Sequence, residues 1–154
     1  VIEVELLGLM LPAAISLREL RLDNIRLCGL DLRGNGTYTT EGITKLCEGL
    51  KGSAVTTLIL FDSYIGDNGA SALAAVLKET QITILNLNNT GLGPEGGAAL
   101  AEGLKGNSTL QSLDLQSNGL GPKGAAALAE GLKGNSTLQS LDLENNDLTD
   151  ETKQ

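Results

Sequence analysis

Hydrophobic and polar positions along this chain recur in a unit that combines two different spacings. Residues 98–115 read AALAEGLKGNSTLQSLDL, and the same eighteen residues return at 126–143, so the period is 28. In the L-x-L part the leucines alternate with polar residues, which predicts a short strand with one buried face. Upstream of it, apolar residues lie at i, i+3, i+4 and i+7, which predicts one face of a helix. Each unit is therefore expected to supply one strand and one helix.

The pattern L-x-x-L-x-L-x-x-N places five such units in register. Their three apolar positions and the residue at the Asn position are Leu27, Leu30, Leu32 and Asn35; Val55, Leu58, Leu60 and Ser63; Ile82, Leu85, Leu87 and Thr90; Leu110, Leu113, Leu115 and Asn118; Leu138, Leu141, Leu143 and Asn146. The matching helix faces are Ile43, Leu46, Cys47 and Leu50; Ala70, Leu73, Ala74 and Leu77; Gly97, Leu100, Ala101 and Leu104; Ala125, Leu128, Ala129 and Leu132. Pro94 and Pro122 fit the first position of a helix, and Gly106 and Gly134 fit the position just past its end.

The two halves of a unit cannot bury their apolar faces alone, so neighbouring units must stack. Strands repeat about every 4.8 Å, whereas packed helices need about 8–10 Å. The helix side must therefore be the longer one, and the stack must bend toward the strands. The sequence predicts an α/β fold: a curved solenoid, or horseshoe segment, with parallel strands on the concave side and helices on the convex side.

The N-terminal end departs from this register. Leu17, Leu20 and Leu22 repeat the L-x-x-L-x-L pattern only ten residues before the first of the five units. Ten residues cannot hold a strand, a helix and two loops. Either Asp23 and Asn24 turn a hairpin that caps the first repeat, or a unit has lost its helix.

The division of the chain follows from these patterns. A helix is predicted over residues 1–14 and should end at Pro12. We interpret 1–154 as a single repeat domain and as a fragment of a longer protein, with an irregular unit at 1–26 and five registered repeats at 27–148, the last incomplete. After Leu148 the chain has no counterpart of the apolar helix residues found in the other units. The C-terminal end is therefore expected to be covered by further repeats or by a neighbouring subunit.

The repeat pattern, together with GLGPKGAAALAEGL at 119–132, resembles the leucine-rich repeat family. It is most similar to the long, 28-residue ribonuclease-inhibitor-like subclass that repeat domains of NOD-like receptors share, and the resemblance covers roughly 27–148. It implies that the Asn side chain bonds to backbone groups in the turn after the strand, a role that falls on Asn35, Asn118 and Asn146. Ser63 and Thr90 depart from the pattern, and slightly looser turns are expected there.

The outward strand positions should form the concave wall of the solenoid. The candidate partner-binding residues are Asp31, Arg33, Phe61, Asp62, Asn86, Asn88, Asp114, Gln116, Asp142 and Glu144. With Arg21 and Asp23 included, acidic residues on the wall outnumber basic ones by six to two. In the family the concave face is the usual contact surface, which implies docking of a basic or polar partner; the alternative is that strand residues beside water are simply polar. Phe61, next to Ile59, is either an interface anchor or a residue in local packing between strands.

Composition excludes several chemistries. The chain has no histidine, which removes Ser-His-Asp and Cys-His catalysis and histidine-ligated zinc, and we expect neither a metal nor a cofactor. Its two cysteines, Cys28 and Cys47, belong to different halves of one unit, so free thiols and a reducing intracellular compartment are favoured. The net charge of -8 argues against a nucleic-acid surface. The apolar stretch at 6–11 is shorter than the ~20 residues that a membrane helix needs, so no direct membrane insertion is expected.

Four N-x-S/T triplets occur in the chain. They begin at Asn35, Asn88, Asn107 and Asn135. Two of them, at Asn107 and Asn135, lie in the duplicated eighteen-residue segment. The side chain of Asn35 is expected to turn inward, away from solvent. We interpret the triplets as repeat consensus rather than as glycosylation acceptors.

The function that these features favour is that of a non-catalytic protein–protein interaction scaffold, which binds a partner through the concave face or serves as an accessory subunit of a larger assembly. One alternative is a GTPase-activating protein of the Ran type, which uses related long repeats. That activity would need catalytic support from an edge loop and the family's acidic tail; Arg33 is available, but no loop motif can be carried over. A second alternative is a consensus or designed repeat protein, which the eighteen identical residues suggest and the irregular N-terminal third weakens.

Overall fold

The computed structural model describes residues 2–30 and 33–148. Strands and helices alternate along this part of the chain. The helices are α1 (Ile2–Met10), α2 (Glu41–Leu50), α3 (Gly66–Val76), α4 (Gly93–Leu104) and α5 (Gly121–Gly131), and the strands are β1 (Glu19–Arg21), β2 (Thr57–Ile59), β3 (Ile84–Asn86), β4 (Ser112–Asp114) and β5 (Ser140–Asp142). Short 3-10 turns at Leu11–Ala13 and Leu77–Glu79 extend α1 and α3.

The five strands form one parallel sheet in the order β1-β2-β3-β4-β5. The central leucines of neighbouring strands lie in register, from Leu20 through Leu58, Leu85 and Leu113 to Leu141. Consecutive helices pack against one another from α1 to α5. The α/β solenoid that the sequence predicts is confirmed, because every parallel crossover carries its own helix back along the same side of the sheet.

The core lies between the sheet and the row of helices. The inward leucines of the middle strands are almost completely buried, and so are the i, i+3 and i+7 positions of the helices between them. The fully buried set includes Leu58, Leu60, Leu85, Leu87, Leu113 and Leu115 from the strands and the residues directly after them, and Leu46, Leu50, Leu73, Leu77 and Leu100 from the helices and the 3-10 turn that extends α3. Each layer therefore buries the apolar half of its neighbours, and the outward strand positions are left to meet solvent.

Small residues let the helices approach closely. A Cβ added at Gly103 in α4 would lie 2.7 Å from the carbonyl oxygen of Ala74 in α3, and one added at Gly131 in α5 would lie 2.4 Å from that of Ala101 in α4. Both distances are far below ordinary contact, so the glycines are required by the packing of adjacent helices. Gly49 holds the same position in α2, where an added Cβ would meet the Gly8 backbone of α1, whereas α3 has Val76 there.

The first unit differs from the sequence-based expectation. Strand β1 comes from the Leu17-Leu20-Leu22 pattern and pairs directly with β2, so the sheet position expected for the segment around Leu30 is already occupied. Within the described residues that segment forms only an isolated antiparallel bridge, between Leu30 and Gly36. The expectation that Leu27 and Leu30 belong to the first registered strand therefore does not hold, and Leu32 lies outside the described residues.

The extra residues of this first unit form a long loop between β1 and α2. Leu20 and Leu58 are 38 residues apart, whereas the later central leucines are 27 or 28 apart. The loop is fixed to the core, since Leu27 and Cys28 are fully buried and the Tyr38 hydroxyl donates to the Ile65 carbonyl at 2.9 Å. The unit is thus neither capped by a hairpin nor missing its helix; it is one unit with an insertion.

Candidate functional site: the outer strand face

The candidate site is the sheet surface that points away from the helices, here called the strand face. One row across it consists of Arg21, Ile59, Asn86, Asp114 and Asp142, which are paired in register. Because side chains alternate along a strand, the residues two positions earlier and two positions later lie on the same side. These rows are Glu19, Thr57, Ile84, Ser112 and Ser140 before it, and Asp23, Phe61, Asn88, Gln116 and Glu144 after it.

Hydrogen bonds between side chains join β3, β4 and β5 across this face. The Asn86 amide donates to Asp114 Oδ2 at 2.9 Å, and the Asn88 amide donates to Gln116 Oε1 at 3.0 Å. Gln116 in turn donates through Nε2 to Asp142 Oδ2 at 2.5 Å. The polar side chains are therefore held in place before any partner arrives, which lowers the entropy that a partner would lose on binding.

The carboxylates of β4 and β5 lack basic partners. Among the described residues, the ion pairs lie on β1 and on the helix side of the solenoid, and none includes Asp114, Asp142 or Glu144. Asp114 and Asp142 also accept backbone N–H groups from the residues two positions later, both at 3.0 Å. These bonds orient the carboxylates without cancelling their charge, so this part of the strand face is negative.

Strand β1 carries charges of both signs at the opposite side of the face. Arg21 donates through Nη2 to Asp23 Oδ2 at 3.0 Å and lies 3.7 Å from a carboxylate oxygen of Glu19. The hydrogen bond to Asp23, and after it the negative charge of that carboxylate, raises the pKa of the Arg21 guanidinium above its usual value. This strand therefore carries charges of both signs, one arginine between two carboxylates, whereas Asp114, Asp142 and Glu144 on β4 and β5 are all negative.

An apolar spot interrupts the polar surface at β2 and β3. Phe61 is 40% exposed and Ile84 is 43% exposed, and the half-buried Ile59 lies between them on the same face. Sequence reasoning singled out Phe61 but missed Ile84. The signal was present: Ile84 aligns with Thr57, Ser112 and Ser140, so it is the one large apolar residue in an otherwise polar outward row.

The structure brings together most of the predicted partner-binding residues. On or at the rim of the strand face lie Phe61, Asp62, Asn86, Asn88, Asp114, Gln116, Asp142 and Glu144. Asp31 falls outside the described residues. Arg33 is exposed in the loop before α2 and not on a strand. The sequence pattern predicted a strand for its segment, but β1 occupies that position beside β2. Arg33 is therefore not part of the strand face.

The turns after β2, β3, β4 and β5 are each closed by a buried polar side chain, from Ser63, Thr90, Asn118 and Asn146 respectively. Asn118 donates through Nδ2 to the carbonyls of Leu87, Leu115 and Gln116 at 2.7, 3.1 and 3.0 Å, and its Oδ1 accepts the N–H groups of Thr90 and Leu92 at 3.0 and 3.3 Å. These bonds tie one repeat to the one before it.

Asn146 makes the same set of bonds one repeat later. It donates to the carbonyls of Leu115, Leu143 and Glu144, and accepts from the N–H groups of Asn118 and Leu120. In the second unit the shorter Ser63 side chain makes fewer hydrogen bonds to the preceding unit. Its hydroxyl donates to the Leu22 carbonyl at 2.6 Å and accepts the Ile25 N–H at 3.0 Å.

Asn35 does not take part in this series of turns. It is exposed in the loop before α2, and Ile25 occupies the corresponding position of the first unit, directly after Asn24 with its φ of 52°. The equivalent turn residues Asp62, Asn89 and Ser117 have the same left-handed conformation. The expectation that Asn35 turns inward followed from the same misplaced first strand, and it does not hold.

A second series of buried polar residues, which sequence reasoning did not assign, lies between each helix and the next strand. Asn107 is only 6% exposed. Its Oδ1 accepts the N–H groups of Thr109 and Leu110 at 3.1 and 2.9 Å, and Asn135 repeats the arrangement with Thr137 and Leu138. The sequence signal for this series was the Gly-Asn-Ser-Thr motif that recurs in the duplicated segment, whose asparagine has a structural role.

Both cysteines are free and buried. Burial raises the pKa of the Cys28 thiol and of the Cys47 thiol to about 12. Because the thiolate is the reactive form, neither side chain is activated for nucleophilic chemistry near neutral pH.

We expect the folded protein to react with a small aromatic disulfide reagent at pH 8 on the order of a hundredfold or more slowly than the unfolded chain, since the thiols are both shielded and protonated. Absorbance of the released thiolate measures the rate. Two thiols per chain should react at once in guanidinium chloride. Rapid reaction of one thiol under native conditions would show that its part of the core, most directly the loop around Cys28, opens readily.

The described residues contain no group of three or more Cys, Asp or Glu side chains that could hold a metal ion. In the same part of the chain, no helix has the length and apolar character needed to cross a bilayer.

Comparisons with known proteins agree with this architecture. The family model described as "Leucine Rich repeat" matches residues 55–74, 80–101, 106–129 and 134–151, more than half of the chain. A solved structure titled "Leiomodin-1 Actin-Binding Site 2 (ABS2)" is 25% identical, with a TM-score of 0.71 over 89% of this chain and 76% of that one. The tropomodulin C-terminal domain from Caenorhabditis elegans is 18% identical, with a TM-score of 0.75 over 98% of this chain and 87% of that one, and shows the shared fold. No curated protein matches the sequence. The chain belongs to the leucine-rich repeat family.

Proposed function

We propose that this chain is a non-catalytic protein–protein interaction scaffold that binds its partner through the strand face, on its own or as an accessory subunit of a larger assembly. The observation that carries the proposal is a preordered polar surface with an exposed apolar centre. Hydrogen bonds between their side chains already fix Asn88, Gln116 and Asp142. The Phe61 side chain on the same face is exposed to solvent. Protein interfaces combine such an apolar centre with a polar rim.

Actin is the first partner to test. The leiomodin-1 structure, whose title names an actin-binding site, is 25% identical to this chain and matches 89% of it with a TM-score of 0.71. We propose that the present chain also binds actin and that it does so through the strand face.

Reversing three charges on the strand face provides the test. The variant Asp114→Lys, Asp142→Lys, Glu144→Lys removes the uncompensated negative charge of β4 and β5. A matched control reverses three exposed carboxylates on the helix side, Glu48, Glu102 and Glu130. Binding to labelled actin is measured by fluorescence anisotropy at low and at physiological salt.

We expect the strand-face variant to bind at least about tenfold more weakly and to lose the fast association of the wild type at low salt, since charge complementarity mainly steers encounter. The helix-side control should bind like the wild type. Equal binding by both variants would contradict the strand face as the contact surface. No binding by the wild type would remove actin as the partner, and the strand-face proposal would then depend on the peptide experiment below.

The open side of β5 is proposed as a second contact surface. Leu138, Leu141 and Leu143 are half-buried, whereas the equivalent leucines of the preceding unit are at most 1% exposed. Within residues 33–148, the apolar positions of this unit thus lack the cover that each earlier unit receives from the next. Further repeats or a neighbouring subunit would supply it.

A further inference from the structure

We propose that the strand face takes an extended protein segment with one large apolar anchor residue and, about four residues away from it, one or more lysines or arginines. The inference rests on the proposed function, because it specifies the chemistry of the partner at that same surface. It names the position of the anchor, the sign of the charge and the distance between them.

The anchor position is the apolar spot at β2 and β3. Phe61 and Ile84 are exposed by 40% and 43%, and Ile59 supplies the floor between them. The other exposed large apolar residues in the described part of the chain, Leu6, Leu9, Met10 and Ile15, are more exposed, but they lie in or after α1 and outside the rows of the strand face. A large apolar side chain of the partner placed here would be shielded from water by residues on two neighbouring strands.

Charge complementarity favours the β4 and β5 side of that anchor for the basic residues. On the β1 side, Arg21 lies between Glu19 and Asp23 and already occupies both carboxylates, so an incoming cation would have to compete with an arginine. On the β4 and β5 side, Asp114, Asp142 and Glu144 lack basic partners among the described residues. A lysine or arginine of the partner would find its counter-charge there.

The spacing follows from the geometry of the sheet. From β2 to β5 there are three strand-to-strand steps of about 4.8 Å, or about 14 Å in all. An extended segment rises about 3.3 Å per residue, so about four residues cover this distance. Side chains four residues apart in an extended segment point to the same side, so the anchor and the basic residue can both face the sheet.

The probe is a short capped peptide with a tryptophan anchor and two lysines, at the fourth and sixth positions from it. A second peptide carries the same residues in reverse order, because the spacing leaves the direction of the segment open. The protein has no tryptophan, so emission from the peptide alone reports on burial of the anchor. Two control peptides replace the lysines by glutamates or place them next to the tryptophan.

We expect one of the two lysine peptides to bind with a blue shift of its emission, and to bind at least tenfold more tightly than either control peptide. Phe61→Ser should weaken this binding at least tenfold, and Asp142→Lys with Glu144→Lys should weaken it and abolish its salt dependence. Leu9→Ser, at an exposed leucine of α1, and Glu102→Lys with Glu130→Lys, on the helix side, are the matched controls and should change nothing. Circular dichroism and thermal melting establish that each variant is folded.

The outcomes separate the two proposals. If a control peptide binds as tightly as the lysine peptides and Phe61→Ser still weakens it, the charge and spacing inference is overturned and the strand face remains the contact surface. If peptide binding is unaffected by Phe61→Ser and by the β5 variant, the peptide binds elsewhere and the inference is overturned, while the proposed function is still decided by the actin experiment. If neither lysine peptide binds the wild type, the inference is overturned, and the actin experiment then tests the proposed function alone.

Discussion

Replacing Leu115 by alanine is expected to lower the free energy of unfolding by about 2–5 kcal/mol. Leu115 follows β4, points into the layer between the sheet and the helices, and is fully buried. Its removal would leave a cavity between two repeats. Because backbone hydrogen bonds between the strands hold these repeats in place, they cannot move together to fill the cavity. Chemical denaturation monitored by circular dichroism gives the size of the loss.

The adjacent residue provides the control. Gln116 lies on the strand face and is only half-buried, so Gln116→Ala removes hydrogen bonds to Asn88 and Asp142 that water can replace. We expect it to cost less than about 1 kcal/mol, as for a hydrogen bond that is accessible to solvent. Similar losses for the two variants would mean that the inward and outward positions of this strand have been exchanged.

The second large effect is expected at Asn118. The side chain is 3% exposed, and it satisfies three carbonyl groups and two N–H groups of the turns in two successive repeats. Alanine would leave several of these buried groups without a partner, and each unsatisfied group costs about 1–3 kcal/mol, although such costs do not add fully. We expect Asn118→Ala to lower the free energy of unfolding by about 3 kcal/mol.

Two further variants test this explanation of the Asn118 effect. Asn118→Ser retains one donor and one acceptor, as Ser63 does in the second unit, so its loss should lie between those of alanine and the wild type. Asn88→Ala, on the strand face, should cost less than about 1 kcal/mol, since its amide bond to Gln116 is accessible to water. If serine were as destabilising as alanine, the fit of the amide rather than its hydrogen bonds would be the source of the stability.

The asparagine turns also show how far a local pattern can be read. The positions of Asn118 and Asn146 could be predicted because they lie at a constant distance from leucines that are themselves in register. Asn35 has the same distance from Leu27, Leu30 and Leu32, yet it lies exposed in a loop. The two segments compete for one place beside β2, and residues 19–21 occupy it. A pattern of residues cannot decide which of two similar segments wins such a competition.

The strand face was predictable to a similar extent. Alternation along each strand identified Phe61, Asn86, Asp114 and Asp142 as outward residues. The hydrogen bonds between neighbouring side chains, and the apolar spot that Ile84 forms with Phe61, depend on how strands from different repeats are aligned. The 28-residue ribonuclease-inhibitor-like subclass stays a prediction, and so does the partner.

By itself, the sequence determined the repeat, the alternation of strand and helix, the stacking of the units and the residues of the core from Val55 onward. It could do so because burial of leucines at two fixed spacings is a local property that every unit repeats. Only the tertiary structure decided which leucine-rich segment forms β1, where the inserted loop lies and which charges of the strand face are left uncompensated. These features arise from contacts between residues about 28 to 38 positions apart, and such contacts are set by the edge of the neighbouring strand rather than by the local pattern.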